Sequence, residues 1–119
     1  MIDPEFVSDW LEETDAQLQS LTQVVQQWTQ SPGDASFATE SLRLIHAMEG
    51  AAGALRFDNL LAATRCLGSE AERVRDNPTL DPTRQLAPLI DILQNCNDLL
   101  RNGETLPPTN QLIEKMKSA

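Results

Sequence analysis

The sequence predicts an all-α protein, an up-down-up-down antiparallel four-helix bundle with a short fifth helix at its C-terminal end. Apolar residues recur every three or four positions in four long segments, which is the period of a helix with one buried face. Short breaks that contain proline or glycine separate these segments, and no stretch alternates like a half-buried strand. Such short connections favour antiparallel neighbours, so the four long helices are expected to form a bundle.

The first helix is expected to start at Asp3, a natural N-cap, with Pro4 at the first helical position. It should run to about Thr29. Seven residues recur at helical spacing on its inner face: Phe6, Trp10, Thr14, Gln17, Leu21, Val24 and Trp28. They are flanked by Val7, Leu11, Leu18 and Val25. Both tryptophans are therefore assigned to the core rather than to the stacking of a ligand.

The second helix follows a Ser-Pro-Gly break at 31–33, and either Asp34 or Ser36 supplies its cap. It should end near Leu55. Its apolar arc consists of Phe37, Leu44, Ile45, Met48, Ala51, Ala52 and Leu55.

The third helix is expected to begin at an Asp58 cap and to end before Asn77 and Pro78, because proline cannot continue a helix. Its inner stripe consists of Leu60, Thr64, Leu67, Ala71 and Val74. A second stripe beside it consists of Leu61, Arg65, Gly68 and Glu72.

The fourth helix repeats the start of the first, with Asp81 as cap followed by proline, and should continue to Asn102 and Gly103. Pro88, about two turns in, removes one backbone hydrogen bond and predicts a kink. A short fifth helix is expected at about 108–117, with Leu112, Ile113 and Met116 as packing residues. Residues 1–119 form one domain in this prediction, with the bundle at about 3–103.

Charge and length exclude several classes of function. The formal net charge of -9 makes nucleic acid and anionic membrane surfaces poor partners. No apolar run approaches the ~18 residues of a membrane span and no signal peptide is present, so we expect a cytoplasmic protein without membrane insertion. The 119 residues suffice for one domain but not for an ATP-binding kinase module as well.

The cysteine and histidine content argues against a metal site. Cys66 and Cys96 lie far apart without a CxxC spacing, and a single histidine, His46, cannot complete a zinc site. We expect both cysteines to be reduced, packed thiols and expect no metal or cofactor bound by the chain itself.

The single histidine lies in an unusual part of the second helix. On a helical wheel from 37 to 55, His46 points about 180° from the centre of the apolar arc, toward solvent. Gly50 and Gly53 share its side of the helix, although each costs roughly 1 kcal/mol relative to alanine. One explanation is clearance for another protein's active site to approach the imidazole. The alternative is that the glycines let a neighbouring helix pack tightly, with His46 an incidental surface residue.

These residues resemble a known family. The run at 46–53, His-Ala-Met-Glu-Gly-Ala-Ala-Gly, resembles the histidine phosphotransfer (HPt) signature His-x-x-Lys-Gly-x-x-Gly, and Phe57, Asp58 and Leu60 resemble its continuation. The run at 3–13 is similar to the first helix of the HPt domain of CheA-type chemotaxis kinases. The resemblance extends from about residue 3 to residue 103.

The resemblance implies a carrier rather than an enzyme. His46 would take a phosphoryl group from a histidine kinase catalytic domain and yield it to an aspartate on a response-regulator receiver domain. The partner proteins would supply ATP and Mg²⁺. The chain would then be either a free-standing carrier or the N-terminal piece of a CheA-like kinase, in a two-component or chemotaxis-type pathway.

Three positions depart from the family pattern. The signature lysine is replaced by Glu49, the CheA-type histidine on the next helix by Arg65, and the glutamate that orients the imidazole by Gly68. In one outcome, Arg65 or Arg43 restores the positive charge, and Glu49 or Glu72 accepts the proton of imidazole Nδ1. In the other, Glu49 repels the phosphoryl group by roughly 1 kcal/mol, which slows transfer without abolishing it.

We therefore favour a working but altered carrier. The alternative is a degenerate HPt-fold interaction module that docks kinase or receiver partners without phosphate, and a third possibility is an unrelated four-helix adaptor. For the docking face we expect Arg65 close to His46 and paired with Glu49 across the second and third helices. The residues expected to be exposed there are Leu42, Arg43, His46, Glu49, Gly50 and Gly53.

Overall fold

Five α-helices follow one another in this computed structural model, which describes residues 3–119. They are α1 (Pro4–Gln30), α2 (Ala35–Ala54), α3 (Asp58–Asp76), α4 (Pro82–Arg101) and α5 (Thr109–Ser118). No strand occurs in the described range, so the all-α prediction is confirmed. The prediction of one domain over 1–119 also includes residues 1 and 2, which lie outside that range.

Three of the helices start at an aspartate cap, as the sequence predicts. The Asp3 carboxylate accepts a hydrogen bond from the backbone N–H of Glu5 at 2.9 Å, ahead of Pro4. Asp34, rather than Ser36, caps α2, and Asp81 caps α4. Each carboxylate satisfies a backbone donor that the first turn of a helix leaves free.

The start of α3 differs from the prediction. Asp58 is the first helical residue, and Phe57 takes the cap position without a side-chain hydrogen bond. Phe57 also closes the end of α2, because its N–H donates to the Ala52 carbonyl at 2.9 Å. Its ring is buried at 2% exposure and meets Trp10 edge-on, with ring centroids 6.0 Å apart. The connection is so short that one residue serves both helix ends.

The helices pack around a single apolar core. α1 contacts α2 and α4, while α3 contacts α2, α4 and α5. Trp10 and Trp28 are both buried, which confirms their assignment to the core. The prediction that Phe6 lies on the inner face is wrong: it is 44% exposed, and in the first turn of α1 Val7 packs against the core instead.

A polar network inside the bundle connects α1 to α4. The indole N–H of Trp10 donates to Asn97 Oδ1 at 2.7 Å, and Asn97 Nδ2 donates to Thr14 Oγ1 at 3.1 Å and to Asp15 Oδ1 at 3.0 Å. Arg101 forms an ion pair with Asp15 at the surface end of the network. Asn97 is 2% exposed, so these bonds satisfy a polar side chain that would otherwise be costly to bury.

The C-terminal helix docks mainly on α3 through Leu112 and Met116, which are buried. α4 continues through Pro88, and the kink expected there stays a prediction. Both cysteines are free thiols, as predicted, and burial raises the pKa of the Cys96 thiol above its ordinary value. Within residues 3–119, no helix is long and apolar enough to cross a lipid bilayer.

Candidate functional site

His46 lies in the middle of α2, on the exposed side of that helix and next to α3. An open depression between the two helices contains the imidazole. Its lining residues are His46, Glu49, Gly50, Gly53, Leu61 and Arg65. The predicted exposure of His46 is therefore confirmed, and five of the six lining residues belong to the site predicted from the sequence.

The two glycines in the depression are not required for helix packing. A Cβ atom added to Gly50 or to Gly53 would meet no atom within 4 Å outside its own stretch of helix. Both residues are exposed. The explanation that they let a neighbouring helix pack tightly is therefore excluded, and the surface beside His46 is open.

Arg65 and Glu49 pair across α2 and α3, as predicted. Arg65 Nε donates to Glu49 Oε1 at 3.4 Å, and the two side chains are 65% and 31% exposed. A long, exposed ion pair of this kind contributes under about 1 kcal/mol to stability. Arg65 is therefore free to exchange Glu49 for a stronger anion at small cost.

Arg43 is exposed as predicted but is engaged with another residue. Its Nε donates to Glu40 Oε2 at 2.9 Å, one turn earlier on α2. The hydrogen bond to Glu40 raises the pKa of Arg43, and the same hydrogen bond lowers the pKa of Glu40. Of the two cations considered for the site, Arg65 is the one that lines the depression.

The hydrogen bond from His46 Nδ1 to Glu49 or Glu72, which one of the two outcomes requires, is absent from the described part of the chain. Glu49 accepts from Arg65 instead. Glu72 is exposed and does not line the depression. The imidazole consequently has no carboxylate hydrogen-bond partner among residues 3–119.

Two further residues assigned to this face are buried. Leu42 was expected to be exposed and is buried at 7%, because it lies three residues before Ile45 and shares the buried side of α2. Gly68 is also buried, and a Cβ there would lie 3.4 Å from Ile45 Cγ2. At this position α2 and α3 are in close contact.

One lining residue was not among the predicted site residues. Leu61 is half-buried and lies one turn before Arg65 on α3. The i, i+4 spacing places both side chains on the same stripe, which was the available signal. Its apolar surface adds a hydrophobic contact beside the imidazole.

The site offers an exposed nucleophilic nitrogen, a nearby guanidinium and free space. A neutral imidazole carries a lone pair on one ring nitrogen. Among residues 3–119, no group of three histidine, cysteine, aspartate or glutamate side chains is placed to hold a metal ion. An exposed imidazole beside a guanidinium is able to act as a nucleophile.

Comparisons with protein-family models, with curated proteins and with solved structures found no match to this chain.

Proposed function

We propose that this protein is a histidine phosphotransfer carrier that accepts a phosphoryl group on His46 from a histidine kinase and passes it to an aspartate of a response-regulator receiver domain. The observation that carries the proposal is that an exposed histidine, two glycines and an arginine lie together at one site. The single histidine of the chain is exposed beside Gly50 and Gly53, which no internal packing requires, and beside Arg65.

The arrangement of the helices supports the same proposal. Each consecutive pair among α1 to α4 is in contact, and α4 contacts α1, while α2 and α4 do not touch. Connections of a few residues join these helices. This neighbour pattern supports the proposed up-down-up-down antiparallel four-helix bundle, with α5 added on the α3 side. HPt domains use such a bundle to present a histidine from the second helix.

The transfer consists of two displacements. One imidazole nitrogen of His46 attacks the γ-phosphorus of ATP held by the kinase, the bond from phosphorus to the ADP oxygen breaks, and ADP leaves. A carboxylate oxygen of the receiver aspartate then attacks phosphorus, the N–P bond breaks, and the imidazole is restored. The partner proteins supply Mg²⁺, and this chain contributes position, access and the adjacent charge.

Arg65 takes the role of the cation that the signature lysine has in the family. A phosphoryl group carries close to two negative charges, so it attracts a guanidinium more strongly than one carboxylate does. Arg65 would move from Glu49 to the phosphoryl oxygens. Glu49 then opposes phosphorylation by roughly 1 kcal/mol at this exposed position, which lowers the rate without preventing the reaction.

A second candidate is an interaction module with the HPt fold that docks kinase or receiver domains without carrying phosphate. The reversal of charge at Glu49 is the observation that favours it. Both candidates place the protein in a two-component or chemotaxis-type pathway in the cytoplasm, either alone or as part of a CheA-like kinase.

Phosphorylation of His46 distinguishes the two. We expect the protein, incubated with a CheA-type kinase core, ATP and Mg²⁺, to gain one acid-labile, base-stable phosphate. His46→Gln should abolish the label, because the chain has no other histidine. Asn95→Ala, an exposed change on α4, is the matched control and should label like wild type. Absence of label from several competent kinases would favour the interaction module.

A further inference from the structure

An open groove runs between α3, α4 and α5. Its volume is about 520 Å³. The apolar part of its lining consists of Cys66, Leu89 and Met116, of which the last two are almost fully buried. Because the groove is open to solvent, a side chain of another molecule has room to enter it and to contact these apolar groups.

Three cationic side chains also line this groove: Arg65, Arg73 and Lys117. All three are exposed. Among the described residues of the lining, Glu70 is the one acidic side chain, and it accepts hydrogen bonds from Arg73. The groove is therefore cationic although the chain carries a net charge of -9, and this local reversal of charge favours an anionic occupant.

The first helix carries the opposite charge. Every lysine and arginine of the chain lies at Arg43 or later, so α1 contains acidic residues and no basic ones. Five exposed carboxylates lie along α1: Glu5, Asp9, Glu12, Glu13 and Asp15. Asp15 pairs with Arg101, while the other four form no ion pair within residues 3–119. These four carboxylates are available to a cationic surface of another molecule.

Phe6 lies beside these carboxylates. It is the one exposed large hydrophobic side chain in the described chain. Asp9 follows it by three residues and Glu13 by seven, which places all three side chains on the same side of α1. An aromatic side chain that enters an apolar pocket is a frequent anchor of protein interfaces, and the carboxylates around it match a cationic rim.

The acidic face of α1 and the groove do not meet within one molecule. α1 contacts α2 and α4, whereas the groove lies against α3 and α5, neither of which contacts α1. We propose that the groove receives Phe6 from a second copy of this chain. The carboxylates beside that Phe6 then contact Arg73 and Lys117 at the rim of the groove. The inference goes beyond the proposed function and does not depend on it.

The proposed contact joins two different surfaces of the chain, so it is head-to-tail. Each pair of molecules leaves one groove and one acidic face free, and association therefore continues as concentration rises, unless a ring closes. Repulsion between molecules of net charge -9 opposes the contact, but charges farther apart than about 8 Å are largely screened at physiological salt. We expect a weak association, in which the weight-average mass rises above 13.2 kDa between about 10 µM and about 1 mM.

Two variants, each blocked at one surface, test the proposal by analytical ultracentrifugation. The acidic-face variant, Phe6→Ala with Asp9→Lys, loses the aromatic anchor and one carboxylate but keeps the groove. The groove variant, Arg73→Glu with Lys117→Glu, reverses the charge of the rim but keeps α1. All four residues are exposed, so both variants should keep the helical circular dichroism spectrum of the wild type. Arg65 is left unchanged because it also lines the depression of the proposed carrier site.

Each variant alone should keep a mass of 13.2 kDa at concentrations where wild type associates. An equimolar mixture should form a dimer of twice that mass and grow no further, because the intact α1 of the groove variant fits the intact groove of the acidic-face variant. Asp91→Lys, an exposed change on α4, is the control with the same change of charge as Asp9→Lys. Because it only lowers the overall repulsion, it should associate at least as strongly as wild type.

Four results would overturn the inference. They are a wild type that stays at 13.2 kDa up to about 1 mM, a mixture of the two variants that forms no dimer, a variant that associates alone as wild type does, and a loss of association in Asp91→Lys equal to that in the acidic-face variant. None of these results bears on phosphorylation of His46, so failure of this inference leaves the carrier function standing.

Discussion

Replacement of the two glycines beside His46 should make the protein more stable and a poorer partner in transfer. No atom outside the local helix lies within 4 Å of a Cβ added to Gly50 or Gly53, so alanine introduces no clash. Alanine is favoured over glycine by about 1 kcal/mol in a helix interior, and by less for Gly53, which lies in the last turn of α2. The double variant should gain about 1.5 kcal/mol in unfolding free energy.

Urea and thermal denaturation measure the first effect, and a rise in Tm of about 6 °C is expected for a chain of this size. Labelling by a kinase core and transfer to a receiver measure the second, and both rates should fall because the new methyl groups occupy the partner's space. Asn95→Ala on α4 is the control, with a gain of about 0.5 kcal/mol and unchanged transfer. A lower Tm would refute the open geometry, and unchanged transfer would refute the clearance argument.

Three further variants test other parts of the structure. Asn97→Leu should lower the unfolding free energy, measured by urea denaturation, by about 2 kcal/mol, because the buried indole N–H of Trp10 loses its acceptor. A loss below about 0.5 kcal/mol would mean that the polar network around Asn97 contributes nothing to stability. Glu49→Lys should raise the rate of phosphorylation on His46 by up to about tenfold, because it removes the repulsion between Glu49 and the phosphoryl group. The double variant Glu49→Lys with Arg65→Glu should keep the helical circular dichroism spectrum of the wild type, because an exposed ion pair contributes little to stability. Iodoacetamide should modify Cys66 well before Cys96 in the folded protein, because burial raises the pKa of the Cys96 thiol. Equal alkylation rates of the two cysteines, followed by mass spectrometry, would contradict the burial of Cys96.

Features that depend on a few neighbouring residues were predictable from the sequence. The starts of α1 and α4 follow from an aspartate before a proline, since the cap and the fixed φ act locally. The exposure of His46 follows from helical periodicity. The contact between Arg65 and Glu49 was expected only from the resemblance, which placed Arg65 opposite the histidine helix.

Features that depend on distant contacts were not predictable. The cap at Phe57 is decided by its burial against Trp10, from another helix. Leu42 is buried because the neighbouring helices cover more of α2 than the apolar arc of the wheel, so that the covered side extends from Ile45 to Leu42, three residues earlier. The role of Asn97 requires knowledge of which α1 side chains it faces, which no local pattern supplies.

Transfer of labelled phosphate from the purified, phosphorylated protein to a receiver domain tests the carrier function most directly. With kinase and ATP removed and Mg²⁺ present, the label should leave His46 and appear on the receiver, and a receiver with its acceptor aspartate changed to asparagine should take none. Label that stays on His46 in the presence of several active receivers, or a protein that never takes label, would contradict the proposed function.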